Sequence, residues 1–465
     1  MIALVRHAAV AMVALSLGAQ AFAAPRADAA QPSVAPAPAA PAPLAPAQTY
    51  TFAQAVAATL AHNPQIAAAQ QTLEAAQQSV LAARAGYGPT LSVNGNGSLG
   101  TFGASTSSGV TGAPASSVTG TGTATIAASL PIFDGGKTRV AVESAEAQAA
   151  SAQAALRQTE QDLALQAGTQ FFTVLKDEGL VNVQQQVLTQ NQAQLAMTQA
   201  KVRAGVAPQS DVIQAEAQVA QAEVALLQAR ANVLTAKASL AGTMGAETTA
   251  SIEAASPEAP AARVAVASGQ VIATALASRP EIAKANAGVQ ASQAQLDTAY
   301  VNAGPQIGIN VGAGYTPVST SRDLNNTTSY GLTGTISLPL FDSGKGKAEI
   351  ASAQAGLKSA RAQLDAARAS VSQDAYQAYL NAVQAAANVT ATEAARTAAD
   401  QALSVAQGRY RAGVGTIIEV ITAETTAAQA DVNATSAVYD YQSALITLEH
   451  AQGAPIVAGV GGGTQ

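Results

Sequence analysis

The sequence predicts a mainly α-helical protein with a membrane β-barrel part, made of two similar α/β halves. Three observations carry this. A set of motifs recurs at one offset, long proline-free stretches carry apolar residues seven apart, and four segments alternate apolar with polar residues. Together they give each half the order short helix, strand, loop, strand, very long helix, break, helix.

The repeat is the most informative of the three. Ser-Leu-Pro-Ile-Phe-Asp-Gly-Gly-Lys at 129–137 returns as Ser-Leu-Pro-Leu-Phe-Asp-Ser-Gly-Lys at 337–345, and Arg-Ala-Gly-Val at 203–206 returns at 411–414, both 208 positions later. Asn63-Pro64 and Arg279-Pro280 are 216 apart, so the first half holds about eight extra residues before its second strand. The Gly/Ser/Thr-rich stretch 103–118 is the longer of two equivalent loops. Two long units make a duplicated domain, not a solenoid.

The helices come next. Residues 135–203 contain no proline and predict a helix of roughly 105 Å at about 1.5 Å per residue. Asp134 is placed as its N-cap and Asp342 as the cap of its counterpart. Val174, Val181, Leu188, Leu195 and Val202 hold a heptad, whereas Leu163 to Val174 is a step of eleven, a stutter that locally unwinds a left-handed supercoil. In the following helix Val212, Val219, Leu226, Val233 and Leu240 are seven apart, with Ile213, Ala220, Leu227, Leu234 and Ala241 beside them. Glu216, Glu223, Arg230 and Lys237 keep the same step, which describes a coiled-coil seam with a charged flank.

Strands are expected at about 90–102, 119–130, 306–315 and 328–340. Leu91, Val93 and Leu99 oppose Ser92, Asn94, Asn96 and Ser98; Ile126, Ala128 and Leu130 oppose Thr121, Thr123 and Thr125. Ile307, Ile309, Val311 and Tyr315 continue the apolar face, and Tyr330, Leu332, Ile336 and Leu338 oppose Thr333, Thr335 and Ser337. Segments of about ten residues, apolar outward and polar inward, suit a membrane barrel wall. The absence of tryptophan, which would form an aromatic girdle, counts against a barrel, and Phe102, Tyr315 and Tyr330 are expected to serve in part as that girdle. Four strands do not close a barrel. Two copies give eight, whose interior side chains nearly fill; three give twelve and leave an open lumen.

The ends and the composition bound the rest. Arg6 and His7, the apolar run 8–17 and Ala21-Phe22-Ala23 form a secretory signal, residues 1–23. Residues 24–50 read as a Pro/Ala-rich linker, 51–242 as the first repeat, 243–269 as an inter-repeat segment, 270–452 as the second repeat and 453–465 as a loose Gly-rich tail. No segment has the roughly 20 apolar residues of a membrane helix. Without cysteine there is neither a disulfide nor a lipid-modified N-terminus. A net charge of -6 with 11% charged residues gives no basic patch for nucleic acid. With aromatics at 4% and no tryptophan, large core anchors are scarce, which suits long helices packed through small side chains. His62 and His450 read as solvated or locally bonded, and the acids as solvated helix faces. There is no nucleophile elbow, zinc helix, phosphate loop or dinucleotide fingerprint, so no enzyme, cofactor or metal site is expected.

The duplicated SLP[IL]FD[GS]G, the breaks Lys201-Val202-Arg203-Ala204-Gly205-Val206 and Arg409-Tyr410-Arg411-Ala412-Gly413-Val414, and the following Asp211-Val212-Ile213-Gln214-Ala215 resemble the TolC family of outer-membrane factors. The similarity runs from Thr51 to Gly453. It implies a homotrimer with a twelve-stranded barrel among outer-membrane lipid and a coiled-coil tunnel in the periplasm. The implied role is the passive exit duct of a tripartite efflux pump for drugs, metals or other small molecules. A membrane-fusion adaptor would then dock at tips formed by Arg203, Gly205, Val206, Arg411, Gly413 and Val414, and the inner-membrane pump would be of RND, ABC or MFS type. Gly205 and Gly413 also read as left-handed helix caps, and the two readings are compatible. The family narrows its tunnel with acids in a pattern like Ile-Val-Asp-Val-Leu-Asp, which here reads Ile417-Ile418-Glu419-Val420-Ile421-Thr422. Glu419 then marks the constriction, with Thr422 in place of the second acid. Thr416 and Glu419 also spell a capping box. The alternatives are a type I protein-secretion duct and a non-transporting periplasmic coiled-coil protein.

Overall fold

The computed structural model describes residues 48–102, 117–246, 252–254, 267–319, 324–454 and 456. The expected signal peptide, nearly all of the 24–50 linker, loop positions 103–116, and most of 247–266 and of the tail lie outside these residues.

The first half runs β1 (Gln48–Tyr50), α1 (Phe52–His62), α2 (Pro64–Ala85), β2 (Thr90–Phe102), β3 (Ser117–Phe133), α3 (Lys137–Arg203) and α4 (Gln209–Thr243). The second runs β4 (Ile252–Ala254), α5 (Ser268–Ser278), α6 (Pro280–Asn302), β5 (Gln306–Ser319), β6 (Leu324–Ser337), α7 (Lys345–Arg411) and α8 (Ile417–Ala451). The duplication is exact in length where it matters: α3 and α7 have 67 residues each, and α4 and α8 have 35 each. At about 1.5 Å per residue α4 covers only about half of α3. Over the rest of its length α3 packs on α1, α2 and α6, and α7 likewise packs on α5 and α6. α6, an element of the second half, thus packs on both long helices. α3 also packs on α8, which joins the two halves.

Local signals explain the boundaries. Thr51 and Gln54 form a capping box at α1, with the Gln54 N–H donating to Thr51 Oγ1 (3.3 Å) and the Thr51 N–H to Gln54 Oε1 (3.0 Å). Asn63 caps α2, and Pro64 and Pro280 open α2 and α6 at the position where a missing N–H is harmless. The placement of Asp134 and Asp342 as N-caps is corrected. The capping residues are Gly136 and Gly344, both left-handed. Each aspartate sits two residues earlier and reaches forward. Asp134 accepts from the N–H of Gly136 (2.9 Å) and Thr138 (2.7 Å), and Asp342 from those of Gly344 (2.9 Å) and Gly346 (2.6 Å). The duplicated Pro-x-Phe-Asp-x-Gly junction is therefore a turn that leads from the strand segment into a long helix.

The core holds a feature that composition hides. Three of the seven phenylalanines, Phe52, Phe171 and Phe172, meet in one cluster. Phe52 stacks on Phe172 (centroids 5.4 Å), and both approach Phe171 edge-on at 5.8 Å. Val56, Val174, Leu240, Met244, Ile446 and Ile456 belong to the same cluster, so residues from α1, α3, α4, α8 and the segment beyond α8 form a collar. Beside it β1 and β4, two strands the sequence did not reveal, pair in parallel with Gln48 opposite Ile252. The counterpart of Phe172 is Leu380, which is exposed, so the second half closes its own core with Val271, Ile282, Val371 and Leu448.

His450 is neither solvated nor locally bonded. Its Nε2 lies 2.9 Å from Asp162 of α3 and its Nδ1 3.4 Å from Nη1 of Arg279. Arg279 in turn grips Glu281 through two contacts of 2.6 and 2.9 Å. Burial and then the Arg279 charge lower the imidazole pKa. A neutral ring suits both contacts, with Nε2–H donating to Asp162 and Nδ1 accepting from Arg279.

Candidate functional site

Two regions carry the predicted site residues: the sheet and the opposite ends of the helical hairpins. The sheet has the order β2-β3-β5-β6, antiparallel throughout. Val93 pairs with Ile126, Ile126 with Ala313 and Ala313 with Tyr330; one step along, Leu91, Ala128, Val311 and Leu332 form the next row. All four strands thus set their apolar residues on one face, and Leu91, Val93, Ile126, Val311, Tyr330 and Leu332 are exposed there. The other face aligns Asn94 with Thr125, and Ser129 with Asn310 and Thr333. Alternation with a period of two allows no other outcome once the register is set. A continuous exposed apolar face on a sheet with open edges does not suit water. Among the described residues no helix is long and apolar enough to cross a membrane.

Cysteines placed at Val93, Ile126, Ile309 or Leu332 are therefore expected to react with membrane-soluble thiol reagents and to resist aqueous ones. Cysteines at Asn94, Thr125, Asn310 or Thr333 should show the reverse. Equal aqueous labelling of both sets would defeat the assignment of the apolar face to lipid.

At the far end each hairpin turns through a left-handed glycine, Gly205 with φ 74° and Gly413 with φ 77°. The closures match. Val206 N–H donates to Lys201 O (3.0 Å) and Gly205 N–H to Val202 O (2.9 Å), while Val414 N–H donates to Arg409 O (3.0 Å) and Gly413 N–H to Tyr410 O (3.1 Å). These are Schellman caps. Nothing lies within 4 Å of a Cβ built on either glycine. Val206 and Val414 are 72% and 70% exposed, and Arg203 and Arg411 are exposed beside them.

The two ends meet through Lys201. Its ammonium sits 3.6 Å from the centre of the Tyr410 ring and donates to the Tyr410 carbonyl. The equivalent position in the second half, Arg409, stays within its own hairpin, 3.7 Å from Glu419. Glu419 is exposed, and its N–H donates to Thr416 Oγ1 at 3.3 Å, so one half of the capping box predicted at the start of α8 is present; the Glu419 carboxylate accepts from Thr416 Oγ1 (3.4 Å), and the reciprocal bond from the Thr416 N–H is not formed. Thr422 is exposed one turn further on.

Two expectations about the seams are corrected. Leu195 and Val202 do not close the lower part of α3. Asn191, Gln194 and Thr198 are the buried residues there, so the seam turns polar toward its end. In α4, Val212, Leu226 and Leu240 are buried, but Ile213, Leu227 and Leu234 form an exposed apolar stripe. The acids are not all solvated either. Glu424 is 8% exposed and its Oε1 has no hydrogen-bond partner. Its spacing of 3 and 4 from Ala427 and Val420 was the signal that placed it in the seam.

A sheet with one lipid-type face, continued by two long helical hairpins joined at their far ends, defines the protomer of an outer-membrane channel-tunnel. The sequence model of the family described as outer membrane efflux protein matches twice, over residues 55–246 and 271–454. The chain belongs to the outer membrane efflux protein family. Solved structures agree in fold. VceC of Vibrio cholerae is 22% identical with a TM-score of 0.72, covering 87% of this chain and 96% of its own. The open state of MtrE of Neisseria gonorrhoeae is 21% identical with a TM-score of 0.68, covering 87% and 89%. CmeC of Campylobacter jejuni is 13% identical with a TM-score of 0.73, covering 86% and 85%. A comparison with curated sequences gives no match. The family places the protein in the outer membrane, reaching into the periplasm, as a channel and not an enzyme.

Proposed function

We propose that three copies assemble into the exit duct of a tripartite efflux pump that expels drugs, metals or other small molecules. The observation that carries this is the unfinished protomer. Its sheet has two open edges, β2 and β6, which three copies close as twelve strands around a lumen. The unpartnered stripe Ile213, Leu227 and Leu234 on α4 supports the same assembly lower down, because a heptad stripe left open on one helix fits a neighbouring helix.

The hairpin ends would then form the periplasmic mouth, where a membrane-fusion adaptor meets Arg203, Gly205, Val206, Arg411, Gly413 and Val414. Exposed valines beside side-chain-free backbone suit a partner hairpin that comes close. Glu419 and Thr422 would line the constriction. With Arg409 held 3.7 Å from it, Glu419 supplies a ring of partly compensated charge, which favours modest cation preference over strong selectivity. Energy would come from the inner-membrane pump.

Deletion of the gene is expected to sensitise the bacterium to some members of a panel of drugs and metal salts, and the intact gene to restore resistance. Unchanged sensitivity together with loss of a secreted protein would move the reading to a secretion duct.

A further inference from the structure

We infer that Glu424 is a proton-operated latch in the α7–α8 seam beside the second hairpin end: uncharged it lets the seam close, and ionised it loosens it. Its bearing on transport rests on the duct reading above, but the latch itself is a property of the hairpin.

The seam of α8 is formed here by Ile417, Val420, Glu424 and Ala427, all buried, so a carboxyl group stands where an apolar side chain would close the packing. The equivalent residue of the first half, Glu216, is exposed on α4. The cations near Glu424 have other partners. On α7, Arg409 faces Glu419, Arg396 lies 2.7 Å from Asp431, and Arg411 donates to Gln407 Oε1 at 3.4 Å. The Lys201 ammonium of α3 is held on Tyr410. Residues 179–200 of α3 carry no charge, and Asp400 of α7 is exposed. The remaining acids of this part of α8, Glu419 and Asp431, are those already paired.

One contact supports the charged form. Burial raises the Glu424 pKa above the usual carboxylate value, and a side-chain hydrogen bond from Gln407 opposes the rise. Because the packed form prefers the proton, its contribution is complete at acid pH and is lost as pH rises through the raised value. The proton then passes to solvent, and the buried carboxylate has no cation to meet. Gln407 links this event to the tip, since the same side chain also receives the Arg411 guanidinium. Among the described residues the first tip has no such link: Arg203 Nε donates to the Gln199 carbonyl of its own helix, at 3.4 Å. The two tips are thus alike in outline, but only the second senses pH.

The test is hydrogen exchange of the full-length protein in lipid nanodiscs from about pH 3.5 to about 7.5, a range that opens below the ordinary glutamate value, with protection corrected for intrinsic exchange. Protection of 403–427 is expected to be highest at the acid end and to fall across this range, while the first hairpin stays level. Glu424→Gln should hold the acid-side protection at every pH, and Asp400→Asn, at an exposed acid of α7, should keep the native profile. Gln407→Leu should move the midpoint upward, and it decides the matter if Glu424→Gln fails to assemble. A native response in Glu424→Gln, a flat native profile, or an unmoved midpoint in Gln407→Leu overturns the latch. Resistance measured in the deletion strain reports on the duct reading separately, so failure of one is distinguishable from failure of the other.

Discussion

Tryptophan at both Gly205 and Gly413 is expected to abolish efflux-dependent resistance while assembled trimers still reach the outer membrane. The left-handed backbone at the two positions costs a residue with a side chain about 1–2 kcal/mol each, little beside the packing of two 67-residue helices. No neighbour within 4 Å of either site is struck by a new Cβ, so the hairpins should keep their fold. What changes is the outer surface, where an indole would stand over Val206 or Val414 and keep a partner backbone away. Single variants should lose less, because each leaves one kind of tip intact. The measurement is resistance alongside the amount of assembled trimer. Resistance retained in the double variant at normal trimer levels would remove the docking role. Loss of the trimers would show that the glycines serve as caps alone.

The second large effect belongs to the collar. Phe172→Ala is expected to destabilise the protein by about 3–5 kcal/mol, through lost apolar burial and the cavity left behind. Phe172 is 1% exposed and touches both other rings of the cluster. Phe172→Leu keeps most of the volume and should cost far less. Thermal unfolding of the purified variants reads this directly. In cells the alanine variant should leave little assembled protein, because a loss of this size is a large part of a domain's net stability. Equal melting temperatures for native protein and Phe172→Ala would mean that the collar does not hold the halves together.

Much of the fold was legible because its determinants are local and periodic. Two-residue alternation sets the two faces of every strand before any partner is known, and the 208-residue offset between identical breaks required α3 and α7 to be the same length. The Schellman glycines could be read for the same reason, since their hydrogen bonds close within six residues. The family resemblance rests on these local signals as well.

What the sequence left open depends on residues that meet only when the chain is folded. Phe52 and Phe172 are 120 positions apart, and His450 reaches Asp162 across 288; neither pairing leaves a periodic trace. The parallel β1–β4 pair is three residues long on each side, too short to declare itself. The sequence by itself determined two halves, their helices and the faces of their strands. Only the tertiary structure decided which of two adjacent stripes on α4 is buried, that Lys201 crosses to the other hairpin while Arg409 stays in its own, and that Glu424 is enclosed while Glu216 is not. The physical reason is that the repeat makes the halves equal in sequence position but not in neighbours. A side chain's burial and charge state are set by what packs against it, and α8 lies against α3 as well as α7, whereas α4 packs chiefly on α3.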